Sequence, residues 1–128
     1  MKFARFTSFL MIFASAILFS SCEKEGVGGK NTLNIFVNHH NQAIPHAVVY
    51  IKYGQKEFPG EESNNYDQNI TCDSNGEAKI ENLRKGHYYL YSRGYDESIE
   101  MAVTGGVPVE IRQKSGEKSV NLPVTEEH

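Results

Sequence analysis

The 128-residue chain has no tryptophan, four prolines and only two cysteines, Cys22 and Cys72. Two cysteines exclude the disulfide-dense scaffold that small secreted domains use in place of a large core. Lys and Arg form no cluster and the formal net charge is −3, so nucleic acid is not an expected partner. After residue 21 no apolar run reaches the ~20 residues that a membrane-spanning helix needs. No window keeps the ~3.6-residue periodicity of an amphipathic helix. No nucleophile motif such as G-x-S-x-G is present. The chain is therefore expected to be neither an enzyme nor a cofactor protein.

What is present begins with an address. Lys2 and Arg5 form a basic head, an apolar stretch runs from Phe6 to Phe19, and Ser20 and Ser21 precede Cys22. This is the pattern of a secretory signal, with an uncleaved membrane anchor as the less fitting alternative. Residues 1–21 hold two of the 13 basic residues and none of the 16 acidic ones, so residues 22–128 carry a formal charge of −5. That length suits one domain.

Leu18-Phe19-Ser20-Ser21-Cys22 resembles a bacterial lipobox, in the loose form ending Ser-Ser-Cys found in Bacteroidota lipoproteins. Phe19 departs from the usual Leu-Ala-Gly-Cys core. The resemblance implies a lipid on Cys22, cleavage just before it, and attachment to the outer membrane of the cell envelope. Each buried methylene of such an anchor contributes about 0.8 kcal/mol. The alternative for Cys22 is a bridge to Cys72, which would close a long loop for little structural reason. Cys72 is expected to be a small unpaired residue near a turn. Glu23-Lys24-Glu25 resembles a surface-export signal, or is a plain soluble tether, and Gly26-Val27-Gly28-Gly29 reads as flexible linker. The expected divisions are a signal peptide over 1–21, lipidated Cys and tether over 22–31, a domain over 32–125, and a tail over 126–128.

Within the domain, Leu33, Ile35 and Val37 alternate with Asn34 and Asn38, the signature of a half-buried strand. Residues 46–53 form a second β-prone run. Residues 54–69 are polar and read as a long loop with a short edge strand near its end. Asn75-Gly76 and the stretch Leu83-Arg84-Lys85-Gly86 mark tight turns. Strands are expected at 77–81, 87–92, 98–103, 107–111 and 118–124, with turns at Gly105-Gly106 and Ser115-Gly116. The fold class is all-β: a single antiparallel Greek-key-type sandwich of about seven strands.

Thr71-Cys72-Asp73-Ser74-Asn75-Gly76, followed by Ile80, Leu83, Gly86 and Tyr88, is similar to the "T-D-x-x-G-x-F-x-I-x-x-L-x-x-G-x-Y" centre of carboxypeptidase regulatory-like domains. Ala43-Ile44-Pro45-His46-Ala47-Val48 resembles their opening, and Gly94-Tyr95 the pair that follows. Gln42 and Ala43 stand near a usual glycine, and Ala78 stands where a larger apolar residue is common. The resemblance implies a transthyretin-like or Ig-like sandwich, usually a stability, adhesion or docking module. Asp73, Gly76, Leu83, Gly86 and Tyr88 are its structural motif. Leu83 would anchor a turn and Gly86 reverse the chain. Tyr88 would bury its ring and send its hydroxyl to a backbone carbonyl.

Other candidate chemistry is sparse. His39, His40 and His46 are close in sequence, but adjacent strand residues point to opposite faces and no acid stands at ligand spacing beside them. A solvated turn, and no metal site, is expected there. Asp73-Ser74-Asn75-Gly76-Glu77 lacks the remaining ligands of a calcium loop. Tyr89 and Tyr91 share a face if Tyr88 and Leu90 point inward, and are the candidate contact surface for a protein partner or a glycan. The expected function is a lipid-anchored envelope binding or scaffold module, with a carbohydrate-binding or adhesive lipoprotein as the alternative.

Overall fold

A computed structural model describes residues 24–127. The strands are β1 (Val27–His39), β2 (Gln42–Ala43), β3 (Val48–Tyr53), β4 (Gln68–Thr71), β5 (Glu77–Leu83), β6 (Gly86–Asp96), β7 (Met101–Ile111), β8 (Ser115–Pro123) and β9 (Thr125–Glu126), with one 3₁₀ turn at Ser63–Asn65. They form two packed sheets. In the first, β8 lies parallel to one edge of β1, while β5 and β2 pair antiparallel with the other. The second is antiparallel throughout, in the order β4-β3-β6-β7-β9. The all-β sandwich stands, with the β1–β8 pair as its one departure from antiparallel pairing.

Alternation builds the core. Leu33, Ile35 and Val37 of β1 face Val49 and Ile51 of β3, Leu90 of β6 and Val103 of β7, all nearly or fully buried. Ile80, Leu83, Val120 and Leu122 complete the first sheet's inner face. Cys72 is a buried free thiol. Burial, and then the neighbouring Asp73 charge, push its pKa up to about 11.

Three expectations change. The glycine-rich stretch before residue 32 is strand rather than tether: β1 starts at Val27, and Gly29 packs against the Leu83 carbonyl where a side chain would not fit. Asn31 is buried, and its amide donates to the carbonyls of Leu83 and Gln113 at 3.2 and 2.9 Å. Gly105 and Gly106 form no turn, because β7 runs unbroken through them. They are glycines because the Pro123 backbone crosses against Gly105 and the Tyr89 ring lies on Gly106. Gly116 likewise sits within β8.

The N-terminal residues dock at one end of the sandwich. The hydroxyl of Tyr88 donates to the Arg84 carbonyl at 2.6 Å and accepts from the Gly26 amide at 2.9 Å. Arg84 N donates to Gly26 O, and the Glu25 carboxylate accepts from the His87 amide at 3.2 Å. Its own backbone amide, and next that of His87, hold the Glu25 carboxyl below its usual range. From this end β1 runs its 13 residues, ~40 Å at strand rise, to His39 at the other.

Candidate functional site

Two groups of side chains stand out. The first lies on the outer face of the five-stranded sheet. Tyr50 of β3 pairs across from Tyr91 of β6, with ring centroids 6.3 Å apart. The polar stretch between β3 and β4 folds back over this face. It stacks Tyr66 on Tyr91 at 6.0 Å and sets Phe58 at 5.2 Å from Tyr91 and 6.0 Å from Tyr89. The Arg93 guanidinium lies 5.6 Å over the Tyr91 ring and donates to the Glu61 carbonyl. Tyr66 OH to Gly60 O and Asn65 Nδ2 to Pro59 O brace the loop from within. Burial first, then the neighbouring phenols, push Tyr66 up to about 12, and burial raises Tyr89. Both are neutral hydroxyls at physiological pH.

Tyr89 and Tyr91 do share this face, but Tyr91 is not available for contact. It is 4% exposed beneath Phe58 and Tyr66. A loop of mostly polar residues carries two rings that cover it, so the exposed aromatic here is Phe58, 48% accessible, beside a half-buried Tyr89.

The second group sits at the end of the sandwich away from Tyr88. His39, expected in a solvated turn, is buried at 4% exposure. Its Nδ1 is 2.8 Å from Asp96 Oδ2 at the end of β6. Asp96 is fixed in turn by Ser98, whose amide and hydroxyl donate to Oδ1 at 2.9 and 2.5 Å. Ser98, and next His39, hold the Asp96 carboxyl below its usual value. His39 Nε2 makes no hydrogen bond and lies 3.4 Å from Glu126 Oε1 of β9. Glu126 is also held low, first by its own backbone amide and then by the two histidines against burial. His40 is exposed, and its positive φ of 51° turns the chain so that its ring lies 4.1 Å from that of His39. Strand alternation therefore does not separate the two rings. The acids that spacing did not reveal come from β6 and β9, while His46 is held elsewhere, its amide on Asp73 O.

The motif residues are placed as follows. Asp73 Oδ1 accepts from the amides of Asn75 and Glu77 at 2.8 and 3.0 Å, so its carboxylate closes a turn. Gly76 (φ +72°) lies against the Val37 carbonyl. Gly86 (φ +140°) lies against Glu25, and Leu83 and Tyr88 are fully buried. Cys22 lies outside the described residues.

Among the described residues five large apolar side chains are exposed, and three of them, Tyr95, Ile99 and Met101, belong to the β6–β7 hairpin beside Asp96. The sequence pointed to no surface here, because Tyr95 reads as a strand end and residues 98–103 as a strand; instead residues 97–100 turn the chain and β7 starts at Met101.

No family model matches the chain and no curated protein matches it. One solved structure, that of a "putative carbohydrate binding protein" from Pseudomonas aeruginosa, is similar to it with a TM-score of 0.49 and 16% identity, over 82% of this chain and 93% of that one.

Proposed function

We propose that the chain is a lipid-anchored binding module of the cell envelope that docks a protein partner at the outer membrane and catalyses nothing itself. The observation that carries the docking reading is the hairpin tip, where Tyr95, Ile99 and Met101 are 51, 41 and 39% exposed. Tyr95, across from Ala102, and Met101, across from Asp96, lie on opposite faces of the hairpin, so the surface offered is its tip, and apolar side chains left in water together at one tip suit a contact site. The likeness of residues 71–88 to carboxypeptidase regulatory-like domains, commonly docking modules, supports the same reading.

The anchor sets the orientation. Cys22 precedes Gly26, fixed on Tyr88, by four residues, a reach of ~14 Å at most. A lipid on Cys22 would hold the Tyr88 end near the bilayer and aim the hairpin, a β6 length away, into the aqueous compartment. Cys22→Ala is expected to abolish incorporation of labelled palmitate; incorporation at the parent level would remove the anchor from this reading.

The docking test uses the full chain in intact envelopes of its native host, with a photo-cross-linker at Glu97. One reproducible protein adduct is expected, reduced at least tenfold by the triple change Tyr95→Ser, Ile99→Ser and Met101→Ser, with the thermal midpoint kept. An adduct indifferent to that change would rule out the hairpin as the docking surface.

A second reading has its own observation. Phe58 and Tyr89 present aromatic surface with ring centroids 6.0 Å apart, and such rings stack on sugars. Glycan-array binding lost on Phe58→Ala and kept in the hairpin variant would favour a carbohydrate-binding lipoprotein.

A further inference from the structure

We propose that His39, His40 and Glu126 form a binding site for a divalent transition-metal ion of the zinc class. Ligand atoms of the three side chains lie within 4.8 Å of one another. Around a tetrahedral zinc, nitrogen and oxygen ligands sit ~2.0–2.2 Å from the ion and so about 3.3–3.6 Å from each other. The 3.4 Å between His39 Nε2 and Glu126 Oε1 already has that value. His40 is exposed and free to turn its ring by the remaining distance.

The independent observation is His39 itself. It is 4% exposed, and its Nε2 is buried without a hydrogen bond, aimed at the Glu126 carboxylate. Buried polar atoms are rarely left this way. Its other nitrogen faces Asp96 at 2.8 Å, and Ser98 locks Asp96 from behind. A carboxylate on Nδ1 places the ring proton there and turns the Nε2 lone pair outward, as in the carboxylate–histidine–zinc arrangement. Two imidazoles and one carboxylate suit zinc, copper or nickel rather than calcium or magnesium, which prefer oxygen cages. Three protein ligands leave a fourth position for water or for a group brought by a partner.

The site joins the two sheets, since His39 ends β1 and Glu126 lies in β9, paired at Val103 of β7. Metal binding therefore favours the folded sandwich by mass action. The test uses the full chain in detergent, without a polyhistidine tag, stripped with a chelator and titrated with zinc chloride. One ion per chain is expected, with a rise in Tm of about 10 °C or more at a hundred times the dissociation constant. His40→Ala and Glu126→Gln change positions outside the core, so both variants should keep the fold by circular dichroism. Each is expected to weaken zinc binding at least tenfold. Asp96→Asn, a change at a positioning residue, should weaken it ~10–100-fold. Absence of saturable binding would overturn the site. So would parent affinity in both His40→Ala and Glu126→Gln, or binding that is lost instead with His46→Ala or His87→Ala.

Discussion

Replacing Tyr88 by alanine is expected to destabilise the sandwich by about 3–5 kcal/mol, the range of large aromatic truncations in cores. The ring is fully buried and meets Tyr53 edge-on, with centroids 5.8 Å apart. Its hydroxyl joins the turn between β5 and β6 to the N-terminal segment, through Arg84 O and Gly26 N. In a domain of about 100 residues each kcal/mol moves Tm by about 4–8 °C, so the alanine variant should melt at least ~12 °C lower. Tyr88→Phe separates packing from the hydrogen bonds. It keeps the ring and strands a buried amide, which costs about 1–3 kcal/mol. Amide exchange at Gly26 should rise in that variant with the far strands still protected. A Tyr88→Ala midpoint equal to the parent's would contradict the corner. Burial, above all, raises the Tyr88 phenol above its ordinary value of 10.0. The unfolded chain then ionises this group first, so its contribution is complete below pH 10 and is lost as pH climbs beyond it.

The features that local sequence could reveal are those in which neighbours along the chain decide the outcome. Leu33, Ile35 and Val37 alternate because β1 has one wet face, and they line the core. Asp73 closes its turn on amides two and four residues away. Features fixed by distant partners were not legible. His39 looks like a turn residue until Asp96, 57 positions later, and Glu126 arrive from the other sheet. Tyr91 looks like an outward aromatic until the loop brings Phe58 and Tyr66 down on it. Glycine is ambiguous for a physical reason. It is used both where a chain must bend and where another backbone must come close, and only the second strand tells the two apart. Gly29 and Gly105 are of the second kind, while the composition around them suggested the first.

Gly105→Ala tests that distinction directly and is the other large effect expected, a loss of about 3 kcal/mol. In a solvent-exposed turn the added methyl would be nearly neutral or slightly stabilising, because it restricts the unfolded chain. Within β7 it would stand inside the contact distance of the Pro123 carbonyl oxygen and against Val124. Neither neighbour is a flexible side-chain end that could swing aside. Both belong to the backbone at the point where the chain leaves β8 and crosses to the other sheet, with Val124 N held on Asn38 O at 2.8 Å. The methyl must therefore push the crossing outward. That loosens β9 from its two-residue pairing with β7 and carries Glu126 away from His39. Two readouts should move together: the urea midpoint falls, and zinc affinity drops further than in Glu126→Gln because the His39 pocket opens as well. Gly106→Ala is the control, since its closest contact is the Tyr89 ring rather than a carbonyl, and a smaller loss with zinc affinity retained is expected. A Gly105→Ala chain as stable as the parent would mean that β7 bends at this glycine pair and that the path carrying Glu126 to the histidines is not the one described.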